Sequence, residues 1–334
     1  MKNTKYPPIL YHYASMEKAI SILKNKNFRL SDITKSNDIN EMSIFIPRLF
    51  DEMINSYDVH NGFYRYEFTY RGKKGREAFH ILVKELKERI EKEFKDGIIA
   101  TFVICFSEDG DLLSQWRGYA DDGRGMCLGF GVDEILKFAD ISAFTTTLEL
   151  EKVEYLSKEE LDQRIKNFAN DLFDLIQVIL FDINEMDISN DSNTEFEENI
   201  YDNLYYNIIA EIEESIKFKA EGFKEEKEWR LFIKNSLNKD EIQKKEYSSI
   251  GSLSEEARRK SREFVDANVE FNVKKNDIVP FISFGFDKYH NNLINEVICG
   301  PNNMIRKSDL EVFLRKYGYN DCKCRKSNIT YIIR

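Results

Sequence analysis

Polar and aromatic side chains follow an apolar run in the middle of the chain. The run from Ile98 to Phe106 predicts a buried strand, and it ends at Ser107. Trp116, Arg117 and Tyr119 lie close together beyond it, followed by glycines that would let the backbone approach a ligand closely. Two interpretations stay open: a ligand site at the carboxyl end of a strand, or a tight surface turn held by an Arg–Asp pair.

A second group of polar residues recurs at every other position, which is the spacing of one face of a strand. Its members are Glu226, Glu228 and Arg230. The intervening positions form an apolar face of Trp229, Leu231 and Ile233. Two carboxylates and a guanidinium on a β surface either form a solvated edge or line the wall of a site, and both interpretations stay open.

His12 is the third candidate among the residues that could do chemistry. The segment from Ile9 to Tyr13 predicts a short strand, in which alternation puts His12 on the same face as Leu10 and close to the strand's end. An imidazole at that position can hydrogen-bond a ligand hydroxyl, or it can be a structural residue among aromatic neighbours.

The fold that must position these residues mixes strands and helices without a regular βαβ rhythm, which favours the α+β class. The 334 residues allow one large domain or two, and we favour a single domain over residues 1–334. Between residues 157 and 220 the chain is acidic and its apolar positions have helical spacing. We therefore expect a helical insertion or lid within that domain.

Four further local predictions follow from spacing. A helix should surround Pro47, and the proline should kink or divide it. The charged tract from Asn238 to Ala267 should be mostly helical. Alternation predicts strands at Phe63–Tyr70 and at Asn328–Ile333, the second of which closes the chain.

Composition excludes several classes of function. The net charge of −10 argues against a protein that coats duplex DNA, because that mode of binding needs a broad basic surface. No apolar run is long enough to span a bilayer, and the N-terminus lacks the apolar segment of a secretion signal. We therefore expect a cytoplasmic protein with no membrane partner.

The five cysteines are predicted to be reduced. Their number is odd, and Cys105, Cys127 and Cys299 lie inside apolar runs, where a free thiol packs as a small hydrophobic group. Cys322 and Cys324 have a single residue between them and no second pair of ligands nearby, which is poor spacing for zinc. No metal site is expected.

Three of these segments, taken in order, resemble a known fold family. His12-Tyr13, Phe106-Ser107 and the Glu-x-Glu ending at Glu228 occur in the order of the corresponding motifs of ADP-ribosyltransferases. The chain also resembles a bacterial family known as a domain of unknown function, over nearly its whole length. The motifs that carry this second resemblance are Leu-Tyr-His-Tyr-x-Ser, then Asn37, Asp38 and Glu41, Cys-Phe-Ser, Gln-Trp-Arg-Gly-Tyr, Glu-x-Glu-Trp-Arg, and Gly300-Pro301.

The resemblance to ADP-ribosyltransferases implies split mixed sheets with NAD, as substrate, held in the cleft between them. Glu228 would be the catalytic carboxylate and would grip the hydroxyls of the nicotinamide ribose. A fixed carboxylate suits this reaction because breaking the glycosidic bond builds an oxocarbenium-like cation. The resemblance further implies that Ser107 orients that carboxylate and that His12 hydrogen-bonds the adenine-side ribose.

The same resemblance implies roles for the aromatic residues. Tyr13 or Tyr119 would stack on the nicotinamide, while Trp116 and Arg117 would cover the pyrophosphate or receive the target. The chain departs from the fold family at its second motif, because Phe-Ser-Glu stands where many toxins of this fold have Ser-Thr-Ser.

We therefore expect an NAD-dependent ADP-ribosyltransferase or another NAD-consuming enzyme, of the kind found among toxin-like and anti-phage effectors. The alternative is a module that binds a nucleotide or a nucleic-acid end in the same cleft without chemistry. In a third interpretation the polar groups are structural, with Arg117 or Arg230 in buried salt bridges to Asp121 or Glu226. The acceptor and the oligomeric state stay open.

Overall fold

The computed structural model describes residues 6–33, 39–60, 62, 68–95, 101–142, 147–185, 193–234, 268–274, 277–287 and 293–333. The architecture is α+β, as the sequence predicts: helices cover a large mixed sheet on both faces. Asn37, Asp38, most of the predicted strand at Phe63–Tyr70 and the whole tract from Asn238 to Ala267 lie outside the described residues.

The described strands and helices alternate irregularly along the chain. The strands are β1 (Ile9–Ala14), β2 (Asn27–Asp32), β3 (Thr69–Tyr70), β4 (Lys73–Lys74), β5 (Phe102–Ser107), β6 (Met126–Gly131), β7 (Thr147–Lys152), β8 (Glu154–Leu156), β9 (Phe218–Ala220), β10 (Glu228–Lys234), β11 (Val269–Lys274), β12 (Asp277–Gly285), β13 (Ile294–Cys299) and β14 (Lys323–Lys326). The α-helices are α1 (Met16–Asn25), α2 (Ile39–Val59), α3 (Gly75–Lys95), α4 (Leu113–Tyr119), α5 (Val132–Ser142), α6 (Lys158–Glu185), α7 (Asn193–Glu214) and α8 (Lys307–Lys316).

The large sheet has ten strands and a branch at β5. Its main path runs β11-β12-β2-β5-β1-β6-β13-β14, and β10 and then β7 extend from the other edge of β5. All of these pairs are antiparallel except β13 with β14. Two small sheets stand apart, the antiparallel pair β3–β4 and the parallel pair β8–β9.

The sheet opens between β1 and β2, which share one edge of β5. Strand β2 pairs with the start of β5, through Ser31 opposite Val103, and β1 pairs with its end, through Tyr11 opposite Ser107. Between these two contacts, the described strand pairs leave the same edge of β5 unpaired around Cys105, while its other edge stays paired with β10. The result is a gap in the sheet at the middle of β5.

The two faces of the sheet bury different cores. Alternation along β5 and β10 sends one set of side chains toward α1, α5 and α8, including the predicted apolar face of Trp229, Leu231 and Ile233. The opposite set, which includes Val103 and Phe232, packs against α2, α3, α6 and α7. The apolar alternation predicted for this strand is therefore confirmed.

The helices of the predicted segment 157–220 pack against helices from earlier in the chain. Helices α6 and α7 fill most of the predicted segment 157–220, but they share a hydrophobic core with α2 and α3 from much earlier in the chain. The helical layer is therefore built from two separate stretches, because each stretch alone leaves an apolar face uncovered. Helix α2 continues through Pro47 and is not divided there.

The predicted closing strand at Asn328–Ile333 is wrong. The last strand is β14, which pairs in parallel with β13, and residues 327–333 continue as irregular chain. This segment is held by hydrogen bonds from the Ser327 hydroxyl and from the Asn328 backbone N–H to Asp111. These groups therefore bond to a side chain and not to a neighbouring strand. In the described residues, no helix has the length and apolar character needed to cross a membrane.

Candidate functional site

A cleft occupies the gap in the sheet between β1 and β2. Its lining combines aromatic rings with a cluster of charged groups: Tyr11, His12, Tyr13, Ile33, Val103, Cys105, Phe106, Gln115, Tyr119, Glu226, Glu228 and Arg230. Its volume is about 120 Å³. For comparison, an apolar cavity of about 150 Å³ accepts one benzene ring, so this cleft is somewhat smaller than that cavity.

Three buried charged residues, Glu226, Glu228 and Arg230, line the cleft on the side of the helical layer, and a fourth, Lys219, lies behind them. The carboxylate of Glu228 accepts a hydrogen bond from Nε of Arg230 at 2.8 Å, and its Oε2 lies 3.0 Å from Nζ of Lys219. The same Nζ lies 2.6 Å from Oε2 of Glu226. Arg230 also donates to the carbonyl oxygen of Ile216. We call Lys219, Glu226, Glu228 and Arg230 the ionic quartet, which has no net charge.

The quartet holds Glu228 in its charged form. Burial alone would raise the pKa of this carboxyl, but Arg230 and Lys219 outweigh burial and lower the pKa to about 2. Burial alone would likewise lower the pKa of Lys219, but Glu228 and Glu226 raise it above its ordinary value. At neutral pH Glu228 is therefore a fixed anion with two cations beside it, Arg230 and Lys219.

The local backbone explains how Glu226 and Glu228 come to the same place. Residues 221–226 form a 3-10 turn, and Lys227 has a left-handed backbone with φ of 47° before β10 begins. The Ser107 hydroxyl donates to the Glu226 carbonyl oxygen at 2.7 Å and accepts from the Asp109 N–H at 3.2 Å. Ser107 therefore holds the backbone of Glu226, two residues before Glu228, and does not line the cleft.

His12 lines the cleft from the opposite side. Its Nδ1 lies 2.8 Å from the carbonyl oxygen of Cys105, and its ring meets Phe106 edge-on with 6.0 Å between centroids. Burial lowers the pKa of this imidazole from its ordinary value, so it is neutral at pH 7. Because a carbonyl only accepts, Nδ1 carries the proton and Nε2 is the acceptor.

Cys105 is the cysteine whose predicted environment is wrong. Cys127 and Cys299 are buried, as expected, but the Cys105 side chain is solvent-exposed in the cleft. The gap in the sheet explains the difference, since none of the described strands covers this part of β5 on that edge. Burial by the surrounding protein, followed by the charge of Glu228, raises the pKa of the thiol well above its ordinary value.

Tyr13 and Trp116 support the cleft. The Tyr13 hydroxyl donates to the Asp109 carbonyl oxygen at 2.8 Å and accepts from the Leu112 N–H at 2.9 Å, so it is engaged with the backbone. Trp116 is fully buried, lies edge-on to Tyr13 at 4.9 Å and donates from its indole to Asp111 at 2.8 Å. The Trp116 ring packs behind the cleft and is not part of its lining.

Arg117 and Tyr119 point to different places, although they are close in sequence. Arg117 is exposed and lies over the ring of Tyr331 at 6.0 Å, outside the cleft lining. Tyr119 lines the cleft, and its hydroxyl lies 3.4 Å from Oε1 of Glu226. Of the two predicted ring-stacking residues, Tyr119 has an exposed ring and Tyr13 a buried one.

The glycine-rich turn after α4 matches the interpretation as a surface turn held by an Arg–Asp pair. Arg124 and Asp121 are joined by an ion pair at 2.9 Å. A side chain at Gly125 would place Cβ 2.1 Å from the carbonyl oxygen of Ala14, and one at Gly300 would place Cβ 2.2 Å from that of Gly123. These glycines allow segments of the chain itself to approach one another.

The sequence analysis did not identify Lys219 or Tyr155. Lys219 contacts the carboxylate of Glu228, and Tyr155 contacts its backbone N–H. Lys219 has a side chain only 1% exposed, and the Tyr155 hydroxyl accepts a hydrogen bond from the Glu228 N–H at 2.7 Å. They lie opposite one another on β8 and β9. The one available signal was a lysine between Phe218 and Ala220, a short apolar context in which an unpaired ammonium would be costly.

This arrangement places aromatic side chains of the cleft beside a fixed carboxylate and a neutral imidazole acceptor. The third interpretation is also partly realised, since Arg230 is in a buried salt bridge, although its partner is Glu228. Across the part of the chain that the structure describes, no group of His, Cys, Asp or Glu side chains is arranged to hold a metal ion.

The comparisons with known proteins point to one family. The profile of a family described as "Protein of unknown function (DUF2971)" matches residues 115–231, which extend from α4 to β10. The matched stretch contains the whole ionic quartet but not His12 or Ser107. No curated protein and no solved structure matches the chain. Over residues 115–231 the chain is therefore similar to a family of unknown function, which is a shorter stretch than the nearly full-length resemblance predicted from the sequence.

Proposed function

We propose that the protein is an NAD-dependent ADP-ribosyltransferase or another NAD-consuming enzyme, with Glu228 as the catalytic carboxylate. The observation that carries this proposal is the gap in the sheet. There, His12 from β1, Cys105 from β5 and Glu228 from β10 line one cleft. Three distant parts of the sequence thus supply one site, in the order of the His-Tyr, Phe-Ser and Glu-x-Glu motifs of ADP-ribosyltransferases, although Ser107 itself lies outside the lining.

The size and lining of the cleft suit the nicotinamide ring. Its volume of about 120 Å³ is of the order of a single small ring, and the lining offers the exposed side chain of Tyr119 for stacking. The remainder of a dinucleotide would have to lie along the outer rim. There the neutral imidazole of His12 is available to accept a hydrogen bond from a ribose hydroxyl.

The chemistry requires an anion that is fixed before the reaction begins. Cleavage of the nicotinamide bond develops positive charge on the ribose, and a preorganised carboxylate stabilises that charge without reorganisation. Glu228 is buried, ionised at all physiological pH values and held by contacts to its backbone and side chain. These properties support its assignment as the stabilising group.

One observation favours the non-catalytic alternative, in which the cleft binds a nucleotide without chemistry. Arg230 and Lys219 both contact Glu228, and two adjacent cations weaken the field that a single carboxylate offers to a developing cation. In this second function the quartet is a rigid polar wall that hydrogen-bonds a ligand. The two functions differ in whether NAD is consumed.

The test is a nicotinamide-release assay with NAD, performed on the wild type, on Glu228→Gln and on Glu225→Gln. Glu225 is exposed and three residues away, so its variant controls for a general loss of negative charge. We expect wild type and Glu225→Gln to release nicotinamide and Glu228→Gln to lose at least about 100-fold in rate.

Binding is followed in parallel by the shift in unfolding temperature that NAD produces. Wild-type protein that binds NAD and leaves it intact over long incubation would support the second function. Wild-type protein that neither binds nor cleaves NAD contradicts the first function and leaves the second to be tested with other nucleotides.

A further inference from the structure

Lys219 occupies a position that no catalytic assignment explains. Its ammonium lies within 2.6 Å of Oε2 of Glu226 and 3.0 Å of Oε2 of Glu228, and its side chain is 1% exposed. A buried ammonium is costly unless it is paired, and here two carboxylates share it. Without it, the two carboxylates would face one another with Arg230 as the remaining cation of the quartet.

The strand that carries Lys219 also connects the site to the helical layer. Strand β9 follows α7 after a 3-10 turn at Ser215–Lys217, and it pairs with β8, which directly precedes α6. Tyr155, opposite Lys219 in this pair, accepts the N–H of Glu228. The pair β8–β9 therefore contacts Glu228 through both its backbone and its carboxylate.

We propose that Lys219 is the positioning residue of this site, whose ammonium holds the Glu226 and Glu228 carboxylates side by side and fixes the orientation of Glu228 toward the cleft. The catalytic consequence of this role rests on the proposed function, whereas the positioning itself rests on the contacts above. The groups that face Glu228 from the surrounding elements are Lys219, Arg230, Cys105, Tyr155 and Glu226.

Cys105 supplies a readout that does not depend on NAD. Its thiol opens into the cleft; burial by the surrounding protein and then the charge of Glu228 raise its pKa, and the charges of Arg230 and Lys219 lower it. The rate at which neutral iodoacetamide alkylates Cys105 therefore reports the balance of charge around Glu228, since only the thiolate reacts. Peptide mass spectrometry separates this rate from those of the other four cysteines.

The first experiment compares the wild type, Lys219→Met and Lys217→Met under native conditions. Lys217 lies two residues earlier and pairs with Glu214 at 2.7 Å, so its variant removes a nearby cation that does not belong to the quartet. We expect Lys219→Met to slow alkylation of Cys105 roughly threefold or more, and Lys217→Met to leave the rate unchanged. Equal rates in all three proteins would overturn the proposal.

The second experiment uses the variant Lys219→Met/Glu226→Gln, which removes one cation and one anion and leaves Glu228 paired with Arg230. If the cost of losing Lys219 comes from crowded carboxylates, this double variant must regain most of the thermal stability that Lys219→Met loses. A double variant that unfolds as readily as Lys219→Met, or that fails to fold, contradicts the proposal, because the loss would then reflect packing alone.

The third experiment follows NAD cleavage against pH in the same variants. Wild type should show no loss of rate between pH 7 and pH 5, whereas Lys219→Met should lose activity on the acidic side, and the double variant should recover. A flat acidic side in Lys219→Met would contradict the catalytic consequence. If no protein cleaves NAD, the proposed function fails, while the alkylation and stability results still decide the positioning role.

Discussion

The Nδ1 atom of His12 lies 2.8 Å from the carbonyl oxygen of Cys105, and this hydrogen bond spans β1 and β5 where their backbones have separated. A carbonyl at the edge of a gap needs a donor when its neighbouring strand turns away. The imidazole supplies that donor and thereby turns its other nitrogen into an acceptor. The separation of β1 from β5 thus opens the sheet and also fixes the tautomer of His12.

Replacing His12 with alanine should weaken NAD binding without unfolding the protein. One hydrogen bond to a ribose hydroxyl would be lost, which corresponds to about 1.4 kcal/mol or a tenfold rise in Kd, measurable by calorimetric titration. His60→Ala is the matched control, because His60 is exposed, stacks on Phe173 and does not line the cleft. Unchanged affinity in His12→Ala would remove this residue from the site.

The stability of the protein should depend on pH through Glu228. Its pKa is about 2 in the folded protein and 4.5 without the fold, so its stabilisation is complete above pH 4.5 and is lost as the pH falls toward 2. Relative to Glu228→Gln, the wild type should lose about 2 kcal/mol of unfolding free energy between pH 7 and pH 3. Urea unfolding at both pH values measures this difference.

Glu225→Gln serves as the reference for that comparison. The Glu225 side chain is exposed, so its removal should change the unfolding free energy by the same small amount at pH 7 and at pH 3. The difference in unfolding free energy between the wild type and Glu225→Gln should therefore not depend on pH. If it changed between pH 7 and pH 3 as much as the difference between the wild type and Glu228→Gln, the effect would come from net charge and not from the buried quartet.

Gly125→Ala should be strongly destabilising. The added Cβ would lie 2.1 Å from the Ala14 carbonyl oxygen, which belongs to backbone and cannot swing aside, so we expect a cost of about 3 kcal/mol or more. Gly222→Ala is the control, because its Cβ would meet no atom within 4 Å. Equal unfolding temperatures for the two variants would contradict the close approach of these segments.

Asp111→Ala should release the C-terminal chain. Asp111 accepts hydrogen bonds from the Trp116 indole, from Ser327 and from the Asn328 N–H, and it lies 3.4 Å from Arg325. We expect a loss of about 3 kcal/mol in stability, together with faster hydrogen exchange in residues 327–333.

Asp321→Ala, at an exposed position in the same part of the fold, is the control for Asp111→Ala. Its exchange rates should match those of the wild type. If both variants leave exchange in residues 327–333 unchanged, the C-terminal chain is held by other contacts.

Local periodicity predicts much of this fold, because buried and polar positions recur at a regular spacing along each strand and helix. The alternation in β10 separates Trp229 and Leu231 from Glu228 and Arg230, and the structure has the same separation. The strand that ends at Ser107 is likewise present. In both cases the information lies within a few consecutive residues.

The site itself depends on relations that no local pattern carries. Cys105 is exposed because β1 and β2 diverge beside it, and that divergence belongs to strands far away in sequence. Lys219 is buried because two carboxylates from a later segment reach it. The residues that flank Trp116 in the sequence are mostly polar, which is typical of an exposed segment. Trp116 is nevertheless fully buried against Tyr13. Such environments arise only from tertiary packing.

The parallel pairing of β8 with β9 has a consequence for how the protein folds. It joins Glu154 to Phe218, and closing a loop of about 60 residues costs more entropy than any hairpin in the sheet. Two strands of three residues each cannot offset that cost until α6 and α7 have docked and shortened the effective loop. We therefore expect the placement of Lys219 and Tyr155 against Glu228 to depend on the docking of α6 and α7.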